Sequence, residues 1–191
     1  MNPFDPEGPP SGSRASYTEA RRIKPFFVRE SRGSITITHD ILRKPRGTTY
    51  RSLVTAALTF CDAFTLIRHD SQYAETANIM EEQLRPCLLR TERTNEWPGA
   101  DLLSGAQATL SGYRLTPVSA VVLADVKSLY AWRGPALPED LAFWAGDRCW
   151  LGSIAHERDA FVCLDNLNAK MVKKRIPTLR LRKARSREHA L

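Results

Sequence analysis

Leu141-Ala142-Phe143-Trp144-Ala145-Gly146-Asp147-Arg148-Cys149-Trp150-Leu151-Gly152-Ser153-Ile154 carries the clearest fold signal in the chain. Two apolar runs of strand length flank Gly146-Asp147, a residue pair suited to a tight turn, so Pro138 to Glu157 reads as an antiparallel hairpin. Ala160 to Leu164 then offers a short strand or helical turn before Asp165-Asn166 closes the globular part.

Working towards the N-terminus, Thr116 as N-cap and Pro117 in the first turn open a helix. Val118, Val122, Val126 and Leu129 form its stripe, and it ends before Gly134-Pro135. Gly105 to Tyr113 and Cys87 to Arg93 read as strands around the turn chemistry of Asn95-Glu96-Trp97-Pro98-Gly99. A second helix spans Ser71 to Leu84 and stops at Pro86. Phe64 and Leu66 alternate with Thr65 as a strand reaching Arg68. A further helix, capped by Thr48 or Thr49, carries Leu53, Val54, Ala57, Leu58 and Cys61 at spacings of three and four. Phe26 to Val28, Gly33 and the alternation through Ile35 and Ile37 predict another hairpin. Hairpins with interspersed helices and no internal repeat define an α+β class: a mixed or antiparallel sheet with about three helices packed on it, in a single domain.

Charge divides the chain differently. Between Lys170 and Arg187 there are nine Lys or Arg and no Asp or Glu, and Glu188 follows. Of 28 basic and 21 acidic residues, 19 and 20 remain outside this tail, so the tail is +8 and the rest −1 within a total of +7. The expected organisation is a disordered segment over 1–16, rich in Pro, Gly and Ser, an α+β domain over 17–168, and a basic extension over 169–191. Clustered cations of this kind point to an acidic macromolecule, RNA, DNA or an acidic protein surface, as partner. The contact residues expected are Lys170, Lys173, Lys174, Arg175, Arg180, Arg182, Lys183, Arg185 and Arg187. Met171, Val172, Ile176, Leu179 and Leu181 interleave with them, so docking of the tail as a strand or short helix is the alternative to a solvated appendage. Pro177 rules out one continuous helix. Arg43, Lys44, Arg46 and Arg51 extend the basic surface if folding brings them near.

Chemistry-bearing constellations are sparse. His39 and His69 each precede an Asp, and His156 precedes Glu157, with Asp159 close behind. A His beside a carboxylate can serve as a tuned general acid or base, or ligate a metal. Adjacent residues on a regular strand face opposite ways, so His39 and Asp40 do not share a site there, and His-Asp at a strand end is otherwise turn chemistry. His156-Glu157-Arg158-Asp159 is the densest titratable run. As a catalytic group it would use His156 as base and Arg158 as anion clamp; as a solvated turn it would hold only intrachain ion pairs.

The spacings from Cys61 to His69 and from Cys149 to His156 fit no zinc pattern, Ser153 departs from the G-x-S-x-G elbow, and no Gly-rich phosphate loop occurs. No metal or cofactor is expected. Trp132, Trp144 and Trp150 read as core, whereas Trp97, set among polar turn residues, is the one expected to face a partner. Cys61, Cys87, Cys149 and Cys163 lie far apart without CxxC pairing, which fits reduced thiols in a cytoplasmic protein. No stretch suits a membrane span, and Met1 to Pro10 lacks a secretory pattern.

The function expected is a non-catalytic interaction protein whose basic extension contacts an acidic partner. A nucleic-acid-processing enzyme using His/Asp acid-base or metal chemistry, and an immunity-like or antitoxin-like inhibitor, are the alternatives.

Overall fold

A computed structural model of the protein describes residues 36–102 and 105–184. The strands are β1 (Ile37–Ile41), β2 (Ala63–Arg68), β3 (Leu88–Thr94), β4 (Glu96–Trp97), β5 (Ala100–Asp101), β6 (Ala108–Arg114), β7 (Glu139–Ala145), β8 (Arg148–Ile154), β9 (Asp159–Leu164) and β10 (Leu181–Lys183). The helices are α1 (Thr48–Phe60), α2 (Glu75–Leu84), α3 (Pro117–Asp125) and α4 (Asn166–Arg175). Eight strands form one antiparallel sheet in the order β10-β1-β9-β8-β7-β2-β6-β3, and β4 and β5 pair separately. This is an α+β fold.

The β7–β8 hairpin forms as its sequence predicts, with Ala145 opposite Arg148 across Gly146-Asp147. Gly146 has a φ of 61°, a conformation that costs a residue without Cβ little. α3 starts where predicted: the Thr116 side chain accepts from Ser119 N, and Ser119 Oγ accepts from Thr116 N, a reciprocal capping box. It ends at Asp125 rather than near Gly134, because Leu129 N donates to Pro45 O at 3.0 Å and Ser128 bridges to Arg46. These contacts draw the chain away from the helix axis. α2 begins at Glu75, later than Ser71, because Ala74 N donates to Pro135 O and His69 N to the Tyr73 hydroxyl. The cap of α1 is Gly47, not Thr48 or Thr49.

The main core lies between one sheet face and the helices, and joins Tyr50, Leu53, Phe64, Leu123, Trp132, Phe143 and Leu151. Its buried polar atoms are satisfied in series: Trp132 Nε1 donates to the Tyr50 hydroxyl at 2.7 Å, which donates to Leu123 O at 2.9 Å. On the other face, Trp97 packs with Ile67, Ala108 and Leu110 under the β4–β5 hairpin. Gly152 is required there, since a Cβ would come within 2.6 Å of the Phe161 ring.

The main departure from expectation is at the C-terminus. Residues 169–184, assigned from charge to an extension, supply most of α4 and all of β10. Val172, Ile176 and Leu179 are 0, 1 and 8% exposed and belong to the main core. Burying each such side chain stabilises by about 1.5–3 kcal/mol, enough to dock a segment despite its charge. The cations ride outside on the same elements, as amphipathic segments require. The 1–16 segment, the Phe26–Val28 arm of the first predicted hairpin, Arg185 and Arg187 lie outside the described residues. Both sides of β1 are taken, by β9 and β10. Among the described residues no helix is long and apolar enough to cross a membrane.

Candidate functional site

Folding brings the two basic groups together at the β10–β1 edge. Asp40 and Ile41 of β1 lie opposite Arg182 and Leu181, and Leu42 N donates to Arg180 O at 2.9 Å. Arg43 and Lys44 therefore leave β1 alongside Arg180. The first turn of α1 reaches the same place, since the Thr49 and Thr178 hydroxyls are 2.8 Å apart, and this puts Arg51 nearby. Gly47 N donates to Lys127 O, adding a lysine that the sequence pattern did not single out. Arg43, Lys44, Arg46, Arg51, Lys127, Lys170, Lys173, Lys174, Arg175, Arg180, Arg182 and Lys183 are all exposed. Among the described residues, Arg182, 3.1 Å from Asp40, is the member of this group with a carboxylate partner. Arg175 instead donates to Thr59 Oγ1 at 2.6 Å and lies 5.8 Å from the Phe60 ring centroid.

Local reasons account for part of this arrangement. Lys173, Lys174 and Arg175 occupy the last turn of α4, where cations complement the helix dipole. The start of α1 is different: Gly47 provides no side-chain cap and the first turn has no acidic residue. A helix N-terminus left without a carboxylate and flanked by Arg46 and Arg51 favours an anion from outside the chain.

The remaining predicted candidates do not form one site. His39 sits within β1 and donates from Nδ1 to Ile37 O at 3.0 Å. Four strand spacings separate β1 from β2, about 19 Å, so His39 and His69 do not converge. His156 is exposed, with Nε2 3.7 Å from Glu157, and Arg158 occupies a turn at φ 57°. His69 does meet other polar groups. Its Nε2 is 4.0 Å from Glu139 Oε1, which accepts from the Tyr73 hydroxyl at 2.8 Å. Burial pushes the Tyr73 phenol up to about 12, so it stays a donor.

Beside this group is Asp140, 2% exposed, on a bulge of β7 with φ 53°. Burial pushes its carboxyl above the usual range, opposed by hydrogen bonds from Ala155 N at 2.7 Å and Trp97 Nε1 at 2.9 Å. Trp97 is thereby held inside at 4% exposure rather than facing a partner: its indole donor finds an acceptor 43 residues away, and its ring meets His69 edge-on at 5.6 Å. Tyr73, Glu139 and Asp140 were missed in the sequence. The available signal was a pair of carboxylates opening an otherwise apolar strand. The Tyr73 hydroxyl and both Asp140 oxygens already serve neighbours, and the Trp97–Asp140 hydrogen bond ties the β4–β5 hairpin to the sheet. Among the described residues no group of three or more His, Cys, Asp or Glu side chains is arranged to hold a metal ion.

No protein-family model matches the chain, and no similar protein emerges from comparison with curated proteins or solved structures.

Proposed function

We propose that the protein is a non-catalytic nucleic-acid-binding module that uses its β10–β1 edge to contact the phosphate backbone. One observation carries this reading: cations from segments more than a hundred residues apart in sequence meet on one surface, nearly all without a carboxylate partner among the described residues. Exposed like charges repel one another and cost stability, and a polyanion offsets that cost by releasing its counterions. The acid-free start of α1 adds backbone donors to the same surface. Contacts of this type position a backbone without reading bases, so binding is expected to depend little on sequence. Free Cys61, Cys87, Cys149 and Cys163 fit a reducing, cytoplasmic setting.

The test is a titration of labelled RNA and DNA with the full-length protein and an Arg43→Glu/Arg180→Glu/Lys183→Glu variant. Affinity should fall steeply between about 50 and 200 mM salt, and the variant should bind far more weakly at every salt concentration. Affinity indifferent to both salt and charge reversal would overturn the reading.

A further inference from the structure

We propose that the cleft at the N-terminal end of α4 binds one small oxyanion, held by the indole N–H of Trp150 and the guanidinium of Arg148. The cleft has a volume of about 60 Å³, and its wall includes Thr36, Phe60, Arg148, Trp150, Asp165 and Asn168. That is room for about two water-sized groups, the scale of a carboxylate or phosphate head rather than an extended organic ligand.

Trp150 is 4% exposed, and its Nε1 is buried with no acceptor among the described residues. A buried donor without an acceptor is costly and uncommon, so one carried by a residue that lines a cleft needs a physical account. The ring is not free to turn away. It stacks on Phe60 at 5.6 Å between centroids and meets Phe143 edge-on at 6.4 Å. By contrast, Trp97, Trp132 and Trp144 donate to Asp140, Tyr50 and Thr65.

The rest of the wall selects the sign of the ligand. Arg148 and the indole can only donate, which excludes a metal cation as their ligand. Arg148 Nη1 reaches Thr36 Oγ1 at 3.5 Å, placing the guanidinium at the rim. The one carboxylate, Asp165, is already committed: Oδ1 accepts from Asn168 N at 2.7 Å and Oδ2 from Asn168 Nδ2 at 2.9 Å. It also lies at the positive end of the α4 dipole, which offsets its charge. An oxyanion accepting from Trp150 on one oxygen and Arg148 on another satisfies both donors. The neighbouring thiols do not compete as anions, because burial holds Cys149 and Cys163 above their ordinary range.

The experiment follows the Trp150 indole N–H by nuclear magnetic resonance in full-length protein, the peak being identified by its loss in Trp150→Phe. Inorganic phosphate and sodium acetate are titrated separately at constant ionic strength, and the anion that saturates at lower concentration identifies the ligand as phosphate or carboxylate. A saturable downfield shift of this peak is expected, with Arg148→Gln weakening the apparent affinity at least about tenfold. Arg148 is exposed at a turn, so this variant remains informative even if Trp150→Phe misfolds. The Arg43→Glu/Arg180→Glu/Lys183→Glu variant should keep the shift, which separates the cleft from polyanion binding at the edge. An indole peak that stays still with both anions would overturn the proposal. A shift unchanged by Arg148→Gln, or lost in the edge variant, would do the same.

Discussion

Both edges of the eight-stranded sheet carry arginine, and the two use it in opposite ways. Around β3, Arg68 pairs with Glu81, Arg85 with Glu82 at 2.6 Å, Arg90 with Glu92 at 3.4 Å and Arg93 with Asp70 at 2.5 Å. Around β10, among the described residues, only Arg182 in the basic group has such a partner. A neutralised, charged edge strand blocks strand addition by other chains and needs no ligand. An edge crowded with unneutralised cations is strained electrostatically until an anion arrives. The number of cations is therefore less informative than the location of their counter-charges.

The largest expected effect tests whether the basic edge belongs to the fold. Deleting Lys170–Leu191 removes Val172, Ile176, Leu179 and the whole of β10, so the truncated protein should fail to fold cooperatively. Ile176→Ala alone should cost about 2–5 kcal/mol in urea unfolding, as for other buried large-to-small changes. Removing only residues 185–191 takes away Arg185 and Arg187 but none of the described core, and the unfolding midpoint should hold. A truncation at Lys170 that melts like the full chain would return the segment to the status of an appendage.

Next in size is the contrast in binding. Reversing Arg43, Arg180 and Lys183 together should lower nucleic-acid affinity by about a hundredfold or more at low salt, while a single Lys173→Gln should reduce the salt slope by about one. The same triple change should leave stability intact or raise it, since it relieves like-charge repulsion. If it instead lowered stability sharply, these residues would be holding the fold rather than awaiting a partner.

Between the edges, Asp140 presents a third treatment of charge: buried, hydrogen-bonded and without an ion-pair partner among the described residues. Its carboxyl is raised, chiefly by burial. The stability linked to its neutral form is thus complete below the ordinary Asp range and lost as pH rises through the folded value. Asp140→Asn cannot ionise and tolerates positive φ, so the stability gap between wild type and variant should narrow as pH rises through that window. Asn offers one acceptor to two donors, so at low pH the variant should be weaker by about 1–3 kcal/mol. Parallel stability curves across pH would show that Asp140 does not titrate in this way.

These contrasts also explain what could be read from the chain. The β7–β8 hairpin and the start of α3 were legible because turn and cap chemistry acts within a few residues. Strand order was not: β1 pairs β9 and β10, whose residues lie more than a hundred positions away. The C-terminal segment reads in sequence as a charged extension because its cations outnumber the apolar residues that dock it. Trp97 reads in sequence as partner-facing because its immediate neighbours are polar, whereas Asp140, the acceptor that holds it, is remote. For the basic edge, each half was visible as a cluster, and only folding showed that Arg43 and Arg180 share one surface.

The smallest effect provides the control for the comparison. Arg93 donates to both oxygens of Asp70, at 2.6 and 2.5 Å, and this hydrogen bonding holds the Asp70 carboxyl below the usual range. A depressed folded value means that the pair's contribution is present above the ordinary Asp range and is lost as pH falls through the folded value. Both side chains are solvated and screened, so Arg93→Gln should move the melting temperature little and less still at high salt. The Asp70 carboxyl, followed by nuclear magnetic resonance, should titrate at higher pH in the variant. Nucleic-acid affinity should remain that of the wild type, because the guanidinium removed was already neutralised. A loss of affinity equal to that from Lys173→Gln would mean that the partner contacts both edges, and the distinction between paired and unpaired arginines would fail.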